Sequence, residues 1–148
     1  MSKLQLKNVC KAYGSAKVVD DLSVTLNKGE LVTLLGPSGC GKTTTLRMIA
    51  GFIELTGGTI EVDGREISGA KRTVPPEHRG MSMIFQSYAI WPNMTVAENV
   101  SFGLTVRRTP ADEAKRRTQE MLDVVKLGAL AQRYPAELSG GQQQRVAL

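Results

Sequence analysis

The densest chemistry in the sequence is the run Gly36-Pro37-Ser38-Gly39-Cys40-Gly41-Lys42-Thr43. Glycine, four free positions, glycine, lysine and a hydroxyl residue is the spacing of a loop that wraps a chain of phosphates. Glycines at 39 and 41 let the backbone curl so that successive N–H groups converge as an anion nest. Lys42 adds a point charge for the outer phosphates, and the Thr43 hydroxyl suits Mg²⁺. A glycine-rich turn matching by accident would lack the right flanks. Here Glu30-Leu31-Val32-Thr33-Leu34-Leu35 precedes the loop and predicts a short buried strand. Thr44 to Ala50 follows, with Leu46, Ile49 and Ala50 on one helical face and Gly51 as the stop. Strand, glycine loop and helix is the context this motif needs.

A second candidate is Leu138-Ser139-Gly140-Gly141-Gln142. Ser139 predicts a helix cap, with Gln142 three residues on as its reciprocal partner. Two glycines at the helix start leave N–H groups that an anion can approach. Taken alone, the run is equally a good helix N-terminus. Tyr13, beside Gly14, offers a flat ring that could stack on a base or pack at a sheet edge. His78 is the only histidine and reads as a solvated loop residue.

The elements that must hold these residues follow from periodicity. Leu4 to Val9 alternates apolar and polar, and Val18 to Leu26 does so more cleanly at Leu22, Val24 and Leu26. Thr59 to Val62 predicts a strand and Asp63-Gly64 a hairpin, so an antiparallel patch should lie beside the phosphate-loop core. Val74 to Gly80 is a loop with two prolines, and Met81 to Phe85 predicts a compact buried strand. From Ser87 the pattern turns helical. Thr95 and Glu98 form a capping box opening a helix to about Leu104. Thr109 as cap and Pro110 at the first helical position open another, ended by Gly128. The basic cluster Lys115-Arg116-Arg117 belongs on that helix's solvated face.

Composition sets the bounds. The chain has 148 residues, 41% hydrophobic and 22% charged, enough for one domain's core. No apolar run reaches the roughly 20 residues that span a bilayer. Met1-Ser2-Lys3-Leu4-Gln5 lacks the apolar core of a signal peptide, so the expected location is cytosolic. Cys10 and Cys40 are too few for a disulfide framework and read as free thiols. The net charge of +5 suits nucleotide phosphates, nucleic acid or an anionic membrane face without choosing among them. No aromatic and basic interleaving of the kind that reads nucleic acid is present.

Together these pieces resemble the ATP-binding subunit of ABC transporters. Gly36 to Thr43 is similar to the family's Walker A loop, Leu138 to Gln142 to its LSGGQ signature, and Gln86 to its Q-loop glutamine. Tyr13 falls where the family carries an adenine-stacking aromatic. The stretch Gly80 to Leu104 looks most like bacterial binding-protein-dependent importers of the iron(III), polyamine and sugar groups. The resemblance implies an α/β fold: a P-loop NTPase core with an antiparallel β subdomain over 1–86, then a helical subdomain with the signature over 87–148. It implies ATP and Mg²⁺ as ligands. Tyr13, Val18 and Gly36, Pro37, Ser38, Gly39, Cys40, Gly41, Lys42, Thr43 and Thr44 would hold the nucleotide, with Thr43 and Gln86 at the metal and Lys42 and Gln86 in catalysis. Ser139, Gly140, Gly141 and Gln142 would cover the ATP of a second subunit in a head-to-tail dimer. Transmembrane permease subunits would be the other partners, with no nucleic acid, and the site would be peripheral on the inner membrane face.

The family's next elements, a Walker B strand with its Asp, a catalytic Glu, a D-loop and a switch histidine, follow the signature and are not among these residues. The expectation is therefore weak nucleotide binding at best, and negligible turnover, by this polypeptide. A fragment truncated after the signature, needing another segment or self-association to cover its core, is the corresponding structural expectation. The alternative function is a non-catalytic nucleotide-binding or interaction module.

Overall fold

A computed structural model describes residues 3–70 and 72–148. Met1 and Ser2, part of the N-terminal run read above for a signal peptide, lie outside the described residues. The chain forms two units, the first ending at Met83 and the second being Ile84–Leu148.

In the first unit, β1 (Leu4–Tyr13) and β2 (Ala16–Leu26) form a long hairpin pairing Leu4 with Leu26 and Tyr13 with Ala16. Register breaks fall around Val9, where Asn8 and Asp21 have φ of 49° and 52° and their side chains bond at 2.7 Å. The β3 strand (Gly57–Val62) pairs antiparallel on the other edge of β1, and β4 (Arg65–Ser68) follows through the Asp63-Gly64 turn. The sheet order is β2-β1-β3-β4, the antiparallel patch expected from the local strand succession. Helix α1 (Lys42–Ala50) ends on Gly51 as predicted. Its buried residues are Thr45 and Met48, whereas Leu46 is exposed. Met48 joins Leu6, Val9, Val19, Ile60, Ile67 and Val74 in one core.

Two predicted strands are absent. Residues 30–35 and 81–85 carry no strand assignment, and Leu31, Leu35 and Ile84 are exposed. An apolar run becomes a strand only when a neighbour takes its backbone N–H and C=O groups. Every strand of the described sheet pairs with another of β1 to β4, and none pairs with these two runs.

The second unit holds α2 (Val96–Val106), α3 (Ala111–Val124) and α4 (Gly140–Ala147), with 3₁₀ turns at Gly128–Leu130 and Pro135–Glu137. Thr95 and Glu98 make the expected capping box, and α2 runs two residues beyond the expected end. Helix α3 differs at both ends. Pro110 is its cap residue in place of Thr109, with no side-chain bond, and Val125 closes it before Gly128. The Lys126 backbone at φ 56° turns the chain before Gly128 is reached. Val96, Leu122, Leu127 and Leu138 form this unit's core.

Candidate nucleotide-binding site

Helix α1 begins at Gly41 with φ 90° and no side-chain cap. Its first-turn N–H groups, including those of Lys42, Thr43 and Thr44, have no intrahelical acceptor, and no cap oxygen covers them. Helices α2 and α4, by contrast, each close their own N-terminus with a capping box. The bare end carries the positive end of the helix dipole. Gly36, Gly39 and Gly41 all have positive φ, which curls the loop over that end. At Gly41 glycine is obligatory for a second reason: a Cβ would lie 2.5 Å from the Val18 carbonyl oxygen and 3.0 Å from Val19 Cγ2. Val18 is thus the floor against which the loop turns.

Lys42 spans the loop. Its Nζ donates to the Gly36 and Pro37 carbonyls at 2.7 Å each and lies 3.3 Å from Cys40 Sγ. The ammonium is held over the concave side by the loop's own backbone. Ser38, Cys40 and Thr43 are exposed and Thr44 is half-buried. The Thr45 hydroxyl is buried and donates to the Gly41 carbonyl at 3.0 Å, tying the loop's last residue to the helix.

The donor set fits a polyphosphate: convergent amides, an uncapped helix end and one ammonium. It fits a metal only through that polyphosphate. Among the described residues no group of three or more His, Cys, Asp or Glu side chains could hold an ion. Thr43 offers a single neutral oxygen, so phosphate oxygens and water must complete the shell, as Mg²⁺ accepts. Next to the loop is an open cavity of about 440 Å³ lined by Val18, Val19, Leu22, Leu34, Leu35 and Lys42, among others. Asp20, Thr33, Cys40 and Thr45 complete its walls, so the hollow joins the apolar edge of the core to the side of the loop that Lys42 spans.

Tyr13 is the last residue of β1, half exposed, with Lys11 Nζ 5.0 Å from its ring centroid. One ring face is therefore occupied by a cation.

The remaining expected residues belong to the second unit. Gln86 is exposed in a turn over 86–89, where the Tyr88 N–H donates to the Phe85 carbonyl at 2.9 Å. Tyr88 and Ala89 both adopt left-handed backbone, φ 63° and 52°, the kind of strain that clusters at functional segments. Ser139 Oγ accepts from the Gln142 N–H at 3.3 Å, while Gln142 Oε1 accepts from the Ser139 N–H at 2.8 Å. Gly140 and Gly141 are exposed beside this cap. Gln143 adds a tie that sequence reading missed, donating to the Pro135 carbonyl at 2.9 Å.

Sequence reading also missed Arg79. Only 7% exposed, it donates through Nε to the Val74 carbonyl, through Nη1 to Met48 and Ile49, and through Nη2 to Ser68 Oγ. It closes the C-terminus of α1, the helix whose uncapped N-terminus lies under the glycine loop. Burial pushes its guanidinium pKa down. A lone arginine after a proline loop gives no local signal of this. His78 lies one residue earlier, exposed in a 3₁₀ turn.

The ABC transporter family model matches residues 19–148. Among curated relatives, the spermidine/putrescine import ATP-binding protein PotA of Thermobifida fusca is 51% identical over 149 residues, and that of Haemophilus influenzae 49% over 145, each covering 98% of this chain. The Fe(3+) ions import ATP-binding protein FbpC of Vibrio cholerae is 48% identical over 143 residues, 97% of the chain. The chain spans 38% of the length of the two PotA proteins and 40% of FbpC.

Proposed function

The chain belongs to the ABC transporter family, and from that premise we propose that it serves as the ATP-binding, energy-coupling part of a bacterial importer. The carrying observation is the uncapped start of α1 with Lys42 held across the glycine loop. In this reading Gly36 to Thr44 wrap the phosphates, and Lys42 leaves the Gly36 and Pro37 carbonyls for the β- and γ-phosphate oxygens. Thr43 and Gln86 are the residues that would hold the Mg²⁺ brought with the nucleotide, and Tyr13 and Val18 those that would receive the adenine. Gln86 also relays the γ-phosphate's presence to the helical unit and its membrane contact.

Ser139, Gly140, Gly141 and Gln142 cover the ATP of a second, head-to-tail subunit. ATP then favours the closed pair because only that state engages it from both sides. Pairing and opening drive the permease, which holds the chain at the cytoplasmic membrane face. Among the described residues no helix is long and apolar enough to cross a membrane. Relatives named for polyamine and for iron import match at 49% and 48%, so cargo choice is assigned to the partner subunits.

Titration calorimetry with Mg-ATP tests this. Binding is expected, weakened at least about tenfold in Lys42→Ala by loss of the one ammonium in the cradle. The absence of both heat and ATP-dependent pairing overturns the reading. Turnover by these residues alone is expected to be negligible, since among the described residues none of the loop residues Gly36 to Thr44 is a carboxylate that could serve as base. Steady-state phosphate release that Lys42→Ala abolishes would refute that part.

A further inference from the structure

Lys11 is a cation that the phosphate loop does not use. Its Nζ stands over the Tyr13 ring, 5.0 Å from the centroid, and donates to the Glu54 carbonyl at 2.8 Å. Among the described residues no carboxylate pairs with it. Lys17, across the hairpin, is by contrast neutralised by Asp20 at 3.1 Å. An ammonium without a counter-ion is left to act on the negative face of the ring beneath it.

The strand end that carries both residues is pinned. The Thr56 N–H donates to the Cys10 carbonyl at 2.9 Å, and the Ala12 N–H donates to Thr56 Oγ1 at 3.0 Å. Glu54 and Thr56 lie just past the C-terminus of α1, where the Phe52 N–H donates to the Arg47 carbonyl at 2.9 Å. The end of β1 is thus tied to the exit of the helix that starts at the glycine loop. The other strand of the hairpin reaches that loop directly. Val18, the floor under Gly41, stands two residues beyond Ala16, the partner of Tyr13. A register shift falls between Lys11 and Ala12, an irregularity of the kind that re-aims a side chain. With one face taken by the ammonium, the Tyr13 ring is still 52% exposed and keeps surface for a ligand.

A cation on one face of a ring draws π density toward itself. The opposite face becomes less negative and repels the π cloud of a stacked base less. We propose that Lys11 is a positioning residue for the base of the nucleotide: it fixes the Tyr13 ring and polarises it, leaving the opposite face for adenine. This rests on the loop of Gly36 to Thr44 holding a nucleotide, and it adds the residue through which the base, and not only the phosphates, contributes to affinity. A direct bond from Lys11 to phosphate fits less well, because the ammonium is already engaged by the Glu54 carbonyl and the ring.

Titration calorimetry of the chain with Mg-ATP and with Mg-tripolyphosphate separates base from phosphates, and the ratio of the two affinities is the readout. Lys11→Met keeps an apolar stem over the ring and removes the charge. It should lower ATP affinity about three- to fivefold and leave tripolyphosphate affinity unchanged. Lys11→Arg, whose guanidinium also stacks on aromatic faces, should keep most of the ratio. In a Tyr13→Ala background Lys11→Met should change nothing further, because the two residues act as one unit. An unchanged ratio in Lys11→Met overturns the proposal. An equal loss for both ligands overturns it too, showing a structural tie or a direct phosphate contact instead. If the unaltered chain binds tripolyphosphate as tightly as ATP, the placement of adenine at Tyr13 fails. If it binds neither, the nucleotide reading itself fails, and in both cases the role of Lys11 falls with it.

Discussion

Thr118 Oγ1 is the one buried side-chain oxygen or nitrogen among the described residues with no hydrogen-bond partner. It lines a groove between α2 and α3 with Ser101, Thr105, Lys115 and Leu122. A buried, unbonded hydroxyl costs free energy. Thr118→Val, nearly the same shape, should raise stability by about 1 kcal/mol in urea unfolding. Glu98 acts in the opposite sense. The Thr95 N–H and then the Thr95 hydroxyl hold its carboxyl below the ordinary 4.5. Because the folded value is the lower one, its contribution is present above pH 4.5 and is lost as pH falls through the folded value. Glu98→Gln should therefore blunt the acid-induced loss of helicity in that window, read by circular dichroism. Arg79 carries a larger expected penalty than either. Arg79→Met strands buried carbonyls and Ser68 Oγ, and should cost about 2–4 kcal/mol in chemical unfolding.

At the scale of elements, the two capping boxes show what local sequence decides. Ser139→Ala removes the acceptor for the Gln142 N–H and should cost about 1 kcal/mol of α4 stability. Amide exchange of Gln142 should speed up accordingly, while exchange in α2 stays unchanged. Both boxes were legible because every partner lies within three residues. The β3–β4 hairpin was legible from Asp63-Gly64 for the same reason, and the tight loop leading into α1 from glycine spacing. Residues 30–35 and 81–85 were misread because hydrophobicity says that a run seeks burial without saying which strand supplies it. The start of α3 moved by one residue because Thr109 and Pro110 are both competent at a helix entry, and only the backbone decides. Arg79, Gln143 and Asn99 gave no signal, since all but one of their acceptors, Ser68 Oγ, are carbonyls, which every residue has.

At the scale of the whole molecule, the two cores share no member. Leu122 is 1% exposed and central to the helical one. Leu122→Ala should cost about 2–5 kcal/mol and strip exchange protection from α2 and α3, leaving the sheet's slow amides in place. Leu31 and Leu35, 94% and 88% exposed, set a different behaviour. Apolar, unpaired backbone of this kind seeks another copy. Leu31→Lys with Leu35→Lys should reduce concentration-dependent light scattering without lowering helicity. The seat of Arg79 also constrains how the sequence can drift. A Cβ on Gly51 would fall against Arg79 Nε and Cζ. A side chain at 51 would therefore push the guanidinium off its acceptors, and after the arginine's removal still meets a left-handed backbone at φ 90°. The two positions form an epistatic pair: with the arginine gone, only the backbone at 51 resists change, so single-site tolerance maps will overstate how rigidly position 51 is bound by its own backbone alone.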